Sequence, residues 1–558
     1  MYEYDPARIV YFGATDSRNT KVPFGIRAED RMRHMYVIGK TGMGKSTLLE
    51  NLAIQDIQNG EGICFIDPHG ETAEKLLEFV PESRIKDVIY FAPFDLERPL
   101  GFNVMEDVGY DKRHLVVAGL MSSFKRIWVD QWSSRMEYIL QNTLLALLEY
   151  PDTTLIDINR MLINKEFRKK VSEYVTDPIV RRFWLEEFAG YSDRYTQDAT
   201  PAIQNKIGQF ASNPLVRNII AQPKSTFDIR DMMDNNKIFI VNLSKGRMGE
   251  QNADLLGSML VTKIYLAAMS RAEETPEGLG KLPPFYLYVD EFQSVVNDSF
   301  TNILSEARKY KLSLTIAHQY IEQVEENIRA AVFGNVGTIV TFRVGPFDAE
   351  TLKTIFEPTF YAEDIVNLGR FQAYLTLMID GVGSKPFSAA ALPPVDRPPK
   401  SFAKEVIENS REQFGRSRSK VEEMIRGTDE KLPAGGFDKK AKYKPQNNGN
   451  SKPKENTKPK ESTFKKQTNN TKTPQVEKKV IKKDDKNDLR SALATIIKKE
   501  APKKETSQTP VAEKAIKKEN ISKAPTTKET PKNDSTKAPL QAHVTKEVSK
   551  ETLNSLLE

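Results

Sequence analysis

The sequence is poor in residue types that mark several classes of protein. Its 558 residues include one cysteine, Cys64, which excludes a disulfide scaffold and a cysteine-based metal cage and suits a reducing compartment. The five histidines are scattered without metal-ligand spacing. No apolar run approaches the ~18 residues of a membrane span, and the N-terminal residues do not form a signal peptide. We therefore expect a soluble, cytoplasmic protein.

Charge is distributed unevenly along the chain. Residues 1–400 hold 45 basic and 53 acidic side chains, whereas residues 401–558 hold 37 basic and 23 acidic ones. Residues 431–558 contain 30 lysines and only three aromatic side chains, so they cannot bury enough apolar surface to offset chain entropy. We expect a disordered basic tail. Two stretches within it, 488–500 and 544–558, carry apolar residues at helical spacing and are candidate docking motifs.

The rest of the chain alternates short apolar runs with helical patterns, which predicts an α/β fold with a mostly parallel sheet. Between the early and the late runs the pattern is helical throughout, which predicts an all-helical insertion. The predicted strands lie at 35–39, 62–67, 87–92, 237–243, 284–292, 312–318, 336–344 and 373–380. The predicted divisions are an N-terminal lead-in (1–34), the first part of the core (35–105), the helical insertion (106–226), the second part of the core (227–400), a helical linker (401–430) and the disordered Lys-rich tail (431–558).

A glycine-rich motif follows the first predicted strand of the core and precedes a helix. Glycines in this context let backbone N–H groups point at phosphate oxygens, and the helix N-terminus favours anions. The motif predicts a RecA-like P-loop fold that binds ATP and Mg²⁺, with Lys45 on the phosphates and Ser46 on the metal. The alternative is a glycine turn that binds nothing. The candidate nucleotide-binding residues are Gly39, Lys40, Thr41, Gly42, Met43, Gly44, Lys45, Ser46 and Thr47.

Two adjacent carboxylates, Asp290 and Glu291, follow a predicted buried strand. Asp290 is placed to bind Mg²⁺ with Ser46, and Glu291 is the candidate base for the attacking water. The alternative is a solvated strand end. Asp67 and Glu71 end another strand, where they either support the site or form a turn with a helix cap.

Further candidates follow from position alone. Gln319, at the tip of another strand, is the candidate sensor of the γ-phosphate, and its neighbour His318 has either a direct role or a purely packed one. Hydrolysis needs positive charge near the transferred phosphoryl group, often from a neighbouring subunit. Arg308 and Arg343 are candidates for that role, against the alternative that Arg308 only complements a helix C-terminus.

Four segments resemble the HerA/FtsK superfamily of ring-forming DNA-pumping ATPases: GKTGMGKSTLL, CFIDPHGE, YVDEF and SEARKYKLSLTIAHQ. The helical insertion and residues 241–271 resemble TraD/TraG-type coupling proteins of conjugation and type IV secretion. The similarity covers about residues 30–390. It implies Walker roles for Lys45, Ser46, Asp290 and Glu291, γ-phosphate sensing by Gln319, and a trans-acting finger role for Arg308.

The resemblance implies an ATP-hydrolysing DNA translocase that acts as a homo-hexamer. Implied partners are DNA and relaxase or secretion-channel proteins, bound through the insertion or the tail. Coupling proteins usually carry an N-terminal membrane anchor, which this sequence lacks, so we expect membrane contact only through partners. The alternatives are a soluble HerA-like ATPase for DNA processing or packaging, a protein-assembly or export ATPase without a nucleic-acid substrate, and a nucleotide-gated scaffold.

Overall fold

The computed structural model describes residues 4–16, 20–128, 132–297 and 299–430. The predicted Lys-rich tail and its two candidate docking motifs lie outside these residues. All eight predicted core strands are present, with ends that differ by up to four residues from the expected ones.

The described residues form one large sheet and one small hairpin. The strands are β1 (Ile9–Thr15), β2 (Pro23–Arg27), β3 (Met35–Ile38), β4 (Gly62–Asp67), β5 (Val88–Phe91), β6 (Ile238–Asn242), β7 (Phe285–Val289), β8 (Leu312–His318), β9 (Thr338–Thr341), β10 (Gln372–Thr376), β11 (Met378–Ile379), β12 (Val382–Gly383) and β13 (Phe387–Ala391). In these residues the sheet has eleven strands in the order β2-β1-β13-β10-β9-β3-β8-β7-β4-β6-β5, and β11 pairs with β12. The strands from β9 to β5 in this order are parallel, and the other pairings are antiparallel.

Helices connect the strands and cover both faces of the sheet. They are α1 (Ala28–Arg31), α2 (Lys45–Asn59), α3 (Glu71–Glu78), α4 (Tyr110–Ile127), α5 (Ser134–Glu149), α6 (Asp157–Ile163), α7 (Lys165–Tyr174), α8 (Pro178–Arg182), α9 (Asp193–Ser212), α10 (Pro214–Ile220), α11 (Ile229–Asp234), α12 (Lys245–Met248), α13 (Glu250–Ser270), α14 (Pro276–Lys281), α15 (Ser299–Glu306), α16 (Glu326–Asn335), α17 (Pro346–Phe356), α18 (Ala362–Val366), α19 (Ala403–Phe414) and α20 (Arg418–Glu430). Short 3₁₀ turns include Phe292–Ser294, Ala307–Tyr310 and Ile321–Gln323.

The core divides at the sheet because successive strand residues point to opposite faces. In β3, Met35 and Val37 join an apolar cluster with α2 and α3, whereas Tyr36 and Ile38 face the cluster that contains α4 and α13. All four residues are buried. The predicted mostly parallel α/β fold is therefore confirmed.

Helices alone fill the described residues between β5 and β6, as the predicted insertion requires. Phe102 on the way into the insertion and Phe227 on the way out stack nearly parallel, with ring centroids 6.0 Å apart. Both also contact Phe91 of β5, and Phe227 contacts Phe239 of β6. The two ends of the insertion are thus joined to the sheet by one aromatic cluster.

The sheet is larger than the seven or eight strands that the sequence predicts. The lead-in supplies β1 and β2, and β13 pairs between β1 and β10, so one edge is antiparallel. At the other edge, the predicted linker contributes α19, whose Ser410 Oγ accepts a hydrogen bond from the Tyr90 N–H of β5. Covering an edge strand in this way satisfies a backbone donor that is otherwise open to pairing.

Among the described residues, one helical segment, Glu250–Glu273, is long and apolar enough to cross a membrane by length and composition. It includes α13, and 72% of its apolar window is buried inside the protein. Leu256, Leu260 and Ile264 of α13 are completely buried in the core. This segment is accordingly a central core helix.

A buried ion pair fixes the lead-in to the helix that follows the P-loop. Arg31, before β3, binds Asp56 of α2 through two hydrogen bonds of 2.7 and 2.8 Å, and both side chains are at most 2% exposed. The guanidinium also lies 4.0 Å from the Tyr286 ring centroid and donates to the Tyr288 hydroxyl. The pair therefore connects α2 with β7, the strand that leads to Asp290.

We expect Arg31→Met to lower the free energy of unfolding by about 3–5 kcal/mol, because it leaves the Asp56 carboxylate buried without its cation. The double variant Arg31→Met with Asp56→Leu should lose less, since neither charge then remains buried. Urea unfolding followed by circular dichroism measures both. Arg27→Met removes an exposed pair with Asp380 and is the matched control, expected to change stability little. A double variant less stable than the single would contradict this account.

Candidate functional site

The P-loop lies where β3 ends and α2 begins, as the motif predicts. Gly42 and Gly44 have φ angles of 74° and 125°, which side-chain-bearing residues rarely adopt. A Cβ added to Gly39 would lie 2.6 Å from the Cβ of Phe342, so the loop also needs glycine for close packing. The predicted nucleotide-binding residues, 39–47, thus form one continuous turn that ends in the first turn of α2.

Lys45 is held inside the mouth of this loop. Its ammonium donates a 2.7 Å hydrogen bond to the Gly39 carbonyl, and the residue is 5% exposed. Burial lowers the pKa of Lys45, and the negative charges of Glu291 and Asp290 oppose that effect. The ammonium therefore lies in the loop near the Gly39 carbonyl and two carboxylates, where it can bind an anion such as a phosphate.

The acid pair comes to the P-loop from β7, whose five residues are all buried. The Ser46 hydroxyl donates to Asp290 Oδ2 over 3.0 Å, so the two predicted metal ligands are adjacent. Burial raises the pKa of Asp290 to about 6, the neighbouring Glu291 charge adds to this, and the Ser46 hydrogen bond opposes it. A cation bound next to Asp290 would therefore stabilise its ionised carboxylate.

Glu291 takes a strained backbone conformation that the sequence does not reveal. Its φ of 46° and ψ of 51° are left-handed, a region that non-glycine residues enter at a cost and that is often found at functional sites. Gln319 Nε2 donates to Glu291 Oε1 over 2.7 Å, and Gln293 Nε2 donates to Oε2 over 2.6 Å. The fold thus brings Gln319 to the candidate base. Sequence reasoning missed Gln293, for which no pattern gives a signal.

His318 is packed rather than open to the crevice. Its Nδ1 lies 3.1 Å from the Tyr36 hydroxyl, and the Phe292 ring meets it edge-on with centroids 5.0 Å apart. Burial lowers the pKa of His318 to about 4, so the ring is neutral at physiological pH. This environment favours the packed role over a direct one.

The Asp67 carboxylate is committed to its own turn. Oδ1 accepts from the His69 N–H over 2.8 Å, and Oδ2 accepts from the Ala73 N–H over 2.9 Å. Glu71 is exposed in the first turn of α3. Of the two alternatives, the turn with a helix cap explains both hydrogen bonds, although the Asp67 charge also contributes to the raised pKa of Asp290.

The two candidate arginines lie at opposite ends of the parallel strands. Arg343 follows β9 and its carbonyl accepts a 2.8 Å hydrogen bond from the Lys40 N–H of the P-loop. Arg308 is exposed in the turn before β8, whereas Gln319 directly follows β8. Because β8 has seven residues and a strand rises ~3.3 Å per residue, Arg308 lies more than about 20 Å from the P-loop edge. Arg308 cannot therefore reach the site of its own chain.

The residues present fit a magnesium–nucleotide complex. The P-loop is a phosphate cradle, and the Ser46 hydroxyl and Asp290 carboxylate are the hard oxygen ligands that Mg²⁺ prefers. The raised pKa of Asp290 shows that the site favours added positive charge. Fold and site together define a RecA-like P-loop NTPase.

A family model places the chain more narrowly. Residues 17–368 match the type IV secretion-system coupling protein DNA-binding domain, which is more than half of the sequence. The chain belongs to this family, which confirms the resemblance to coupling proteins. No curated protein sequence matches it.

The structure of this chain is similar to several solved structures at low sequence identity. The plasmid coupling protein TrwB in complex with ADP and Mg²⁺ superposes with a TM-score of 0.50 at 16% identity, covering 72% of this chain and 99% of that one. TrwB with a non-hydrolysable GTP analogue gives 0.47 at 17% identity, covering 70% and 90%. VirB4 of Thermoanaerobacter pseudethanolicus gives 0.43 at 13% identity, covering 72% and 99%.

We expect Asp290→Asn to stabilise the protein without ligand at about pH 8. The folded pKa of about 6 exceeds the ~3.9 of an unfolded aspartate, so ionised Asp290 destabilises the fold above pH 6. This cost disappears as the pH falls towards 4. The gain in unfolding free energy should be up to about 3 kcal/mol at pH 8 and near zero at about pH 4.

Denaturant unfolding of wild type and variant at both pH values measures this difference. Asp67→Asn is the control, because both Asp67 carboxylate oxygens accept backbone hydrogen bonds and an amide keeps only one acceptor oxygen, so this variant should destabilise the fold instead. A gain for Asp290→Asn that is the same at both pH values would contradict the pKa argument.

Proposed function

We propose that this chain hydrolyses ATP with Mg²⁺ at the P-loop and uses the energy to translocate DNA as a homo-hexameric ring. The observation that carries the proposal is the convergence of separate segments on one crevice: Ser46 contacts Asp290, and Gln319 contacts Glu291. Membership of a coupling-protein family defined by a DNA-binding domain supports DNA as the substrate that is moved.

The geometry suggests a role for each side chain. Lys45 exchanges its bond to the Gly39 carbonyl for the β- and γ-phosphates, and Glu291 accepts a proton from the attacking water. Bound between Ser46 and Asp290, Mg²⁺ would neutralise developing charge on the phosphates. Gln319 senses the γ-phosphate because its amide already binds Glu291, the candidate catalytic base, and can exchange this partner for the phosphate.

The test is ATP turnover by the full chain without DNA, with single-stranded DNA and with duplex DNA. A translocase should be stimulated by at least one form of DNA. Lys45→Ala should lose both nucleotide binding and turnover, whereas Glu291→Gln should keep binding and lose turnover by about 10²-fold or more. Turnover that no DNA stimulates would favour a motor without a nucleic-acid substrate. Normal turnover by Glu291→Gln would refute its role as the base.

Arg308 fits a finger that acts on a neighbouring subunit. It is exposed at the N-terminal ends of the parallel strands, whereas its own P-loop lies at their C-terminal ends. Any contact of Arg308 with a γ-phosphate therefore requires a second copy of the chain. Arg343 lies beside its own P-loop and is the alternative that acts within one chain. The proposed ring therefore has composite sites.

We expect Arg308→Ala to lose turnover by about 10³-fold, the lower end for a trans-acting arginine. Mixing it with Glu291→Gln should restore part of the activity. In a mixed ring, the intact Glu291 of an Arg308→Ala subunit can meet the intact Arg308 of a neighbouring Glu291→Gln subunit. ATPase assays over a range of mixing ratios, with ring formation checked by analytical ultracentrifugation, measure the rescue. Rings without rescue would favour Arg343.

The remaining proposals concern partners and domain divisions. The insertion, residues 106–226, exposes Ile163, Ile179 and Leu185, which suits contact with relaxase or secretion-channel proteins. We keep the core divisions at 35–105 and 227–400, with cytoplasmic localisation and membrane contact only through such partners. Relaxase or channel proteins that bind wild type but not a variant with aspartate at all three positions would support this assignment.

A further inference from the structure

A second segment contacts the P-loop from the side away from the acid pair. The Phe371 N–H, just before β10, donates a 3.1 Å hydrogen bond to the Met43 carbonyl of the P-loop. The Phe371 carbonyl accepts a 2.8 Å bond from the Ala391 N–H of β13. Phe371 is thus tied on one side to the phosphate loop and on the other to the sheet.

The backbone of Phe371 is strained. Its φ of 63° lies in the left-handed region, where a bulky aromatic residue is a genuine outlier. Glycine or asparagine would adopt this conformation more easily. Such strain persists only where the surroundings impose it, and it concentrates at ligand-binding sites. Phe371 is nevertheless 37% exposed, so burial in the core does not explain the presence of an aromatic residue here.

The ring forms part of a flat surface beside the phosphate cradle. A Cβ added to Gly44 would lie 3.1 Å from Phe371 Cδ1, so the ring edge touches the last residue of the loop. The Arg370 guanidinium lies over the ring, 4.7 Å from its centroid, in a cation–π contact. Arg370 is exposed as well. Aromatic rings and guanidinium planes are both surfaces on which nucleobases stack, and here the two are packed together beside the P-loop.

The position of this surface agrees with the direction of a bound nucleotide. Strand β3 is flanked by β8 on one side and by β9 on the other. The terminal phosphate is expected towards β8 and β7, where Gln319 and Glu291 lie. Phe371 directly precedes β10, and β10 pairs with β9, so Phe371 lies on the β9 side of β3, opposite to β8. When Lys45 holds the phosphates of a nucleoside triphosphate, the nucleobase is therefore expected on the side of the P-loop away from the acid pair.

We propose that Phe371 and the Arg370 guanidinium packed over it form the base-stacking subsite for a purine nucleoside triphosphate; this rests on the nucleotide site of the proposed function. Stacking uses the flat face that every base has, so it tolerates different bases. The subsite adds affinity without distinguishing adenine from guanine.

The decisive variant is Phe371→Gly, because glycine relieves the left-handed strain and keeps both backbone hydrogen bonds while removing the ring. Binding of ATP, GTP and inorganic tripolyphosphate, each with Mg²⁺, is measured by calorimetry in the Glu291→Gln background, which should not hydrolyse them. We expect Phe371→Gly to weaken ATP and GTP by about tenfold or more and to leave tripolyphosphate binding unchanged. Phe371→Tyr should restore nucleotide affinity.

The controls separate this inference from the function on which it rests. Tyr110→Ala removes an exposed ring from α4 of the insertion and should change no affinity. If the Glu291→Gln parent binds neither ATP nor tripolyphosphate, the nucleotide site itself is wrong. If the parent binds ATP and Phe371→Gly binds it equally well, only the base subsite is wrong. An equal loss of ATP and tripolyphosphate would show that the ring only shapes the P-loop, and a loss confined to one purine would exclude simple stacking.

Discussion

The site depends on two neighbouring carboxylates held where water has little access. Asp290 and Glu291 are at most 8% exposed, and burial raises the pKa of Asp290 to about 6. The same crevice holds the Lys45 ammonium, whose pKa burial lowers. Neither sign of charge is well solvated, so the arrangement gains from a ligand that brings both a cation and an anion. A magnesium–triphosphate complex has both.

The parallel sheet makes this arrangement possible. Strands β3, β8 and β7 are neighbours and end at one edge, so the P-loop, Gln319 and the acid pair meet there although they are distant in sequence. Beyond the acid pair the chain leads into the helical region. Asn297 Nδ2 donates to Thr262 Oγ1 of α13 over 3.1 Å, and Arg126 of α4 binds the Val296 carbonyl. Hydrogen bonds therefore join the segment after the acid pair to α13 and to α4 of the insertion.

Much of the fold and site follows from local sequence. Each central strand was predicted within a few residues, since a buried parallel strand requires a short apolar run. Two strands of the antiparallel part were not predicted, because β2 (PFGIR) and β13 (FSAAA) lack such a run and depend on pairing with β1 and β10. The P-loop motif is equally local. The left-handed turn at Glu291 and the Gln293 contact have no sequence signal, because they arise from how β7 joins the following turn.

The sequence by itself determined the P-loop, the acid pair, the order of core strands around a helical insertion and the family, because each depends on residues close together in the chain. Tertiary structure decided which distant groups meet. Only the sheet shows that Gln319 binds Glu291, that His318 is packed against Tyr36, and that Arg308 lies across the sheet from its own site. These outcomes depend on strand order and register, which a linear pattern does not specify, because hydrogen bonding between strands is set by the whole fold.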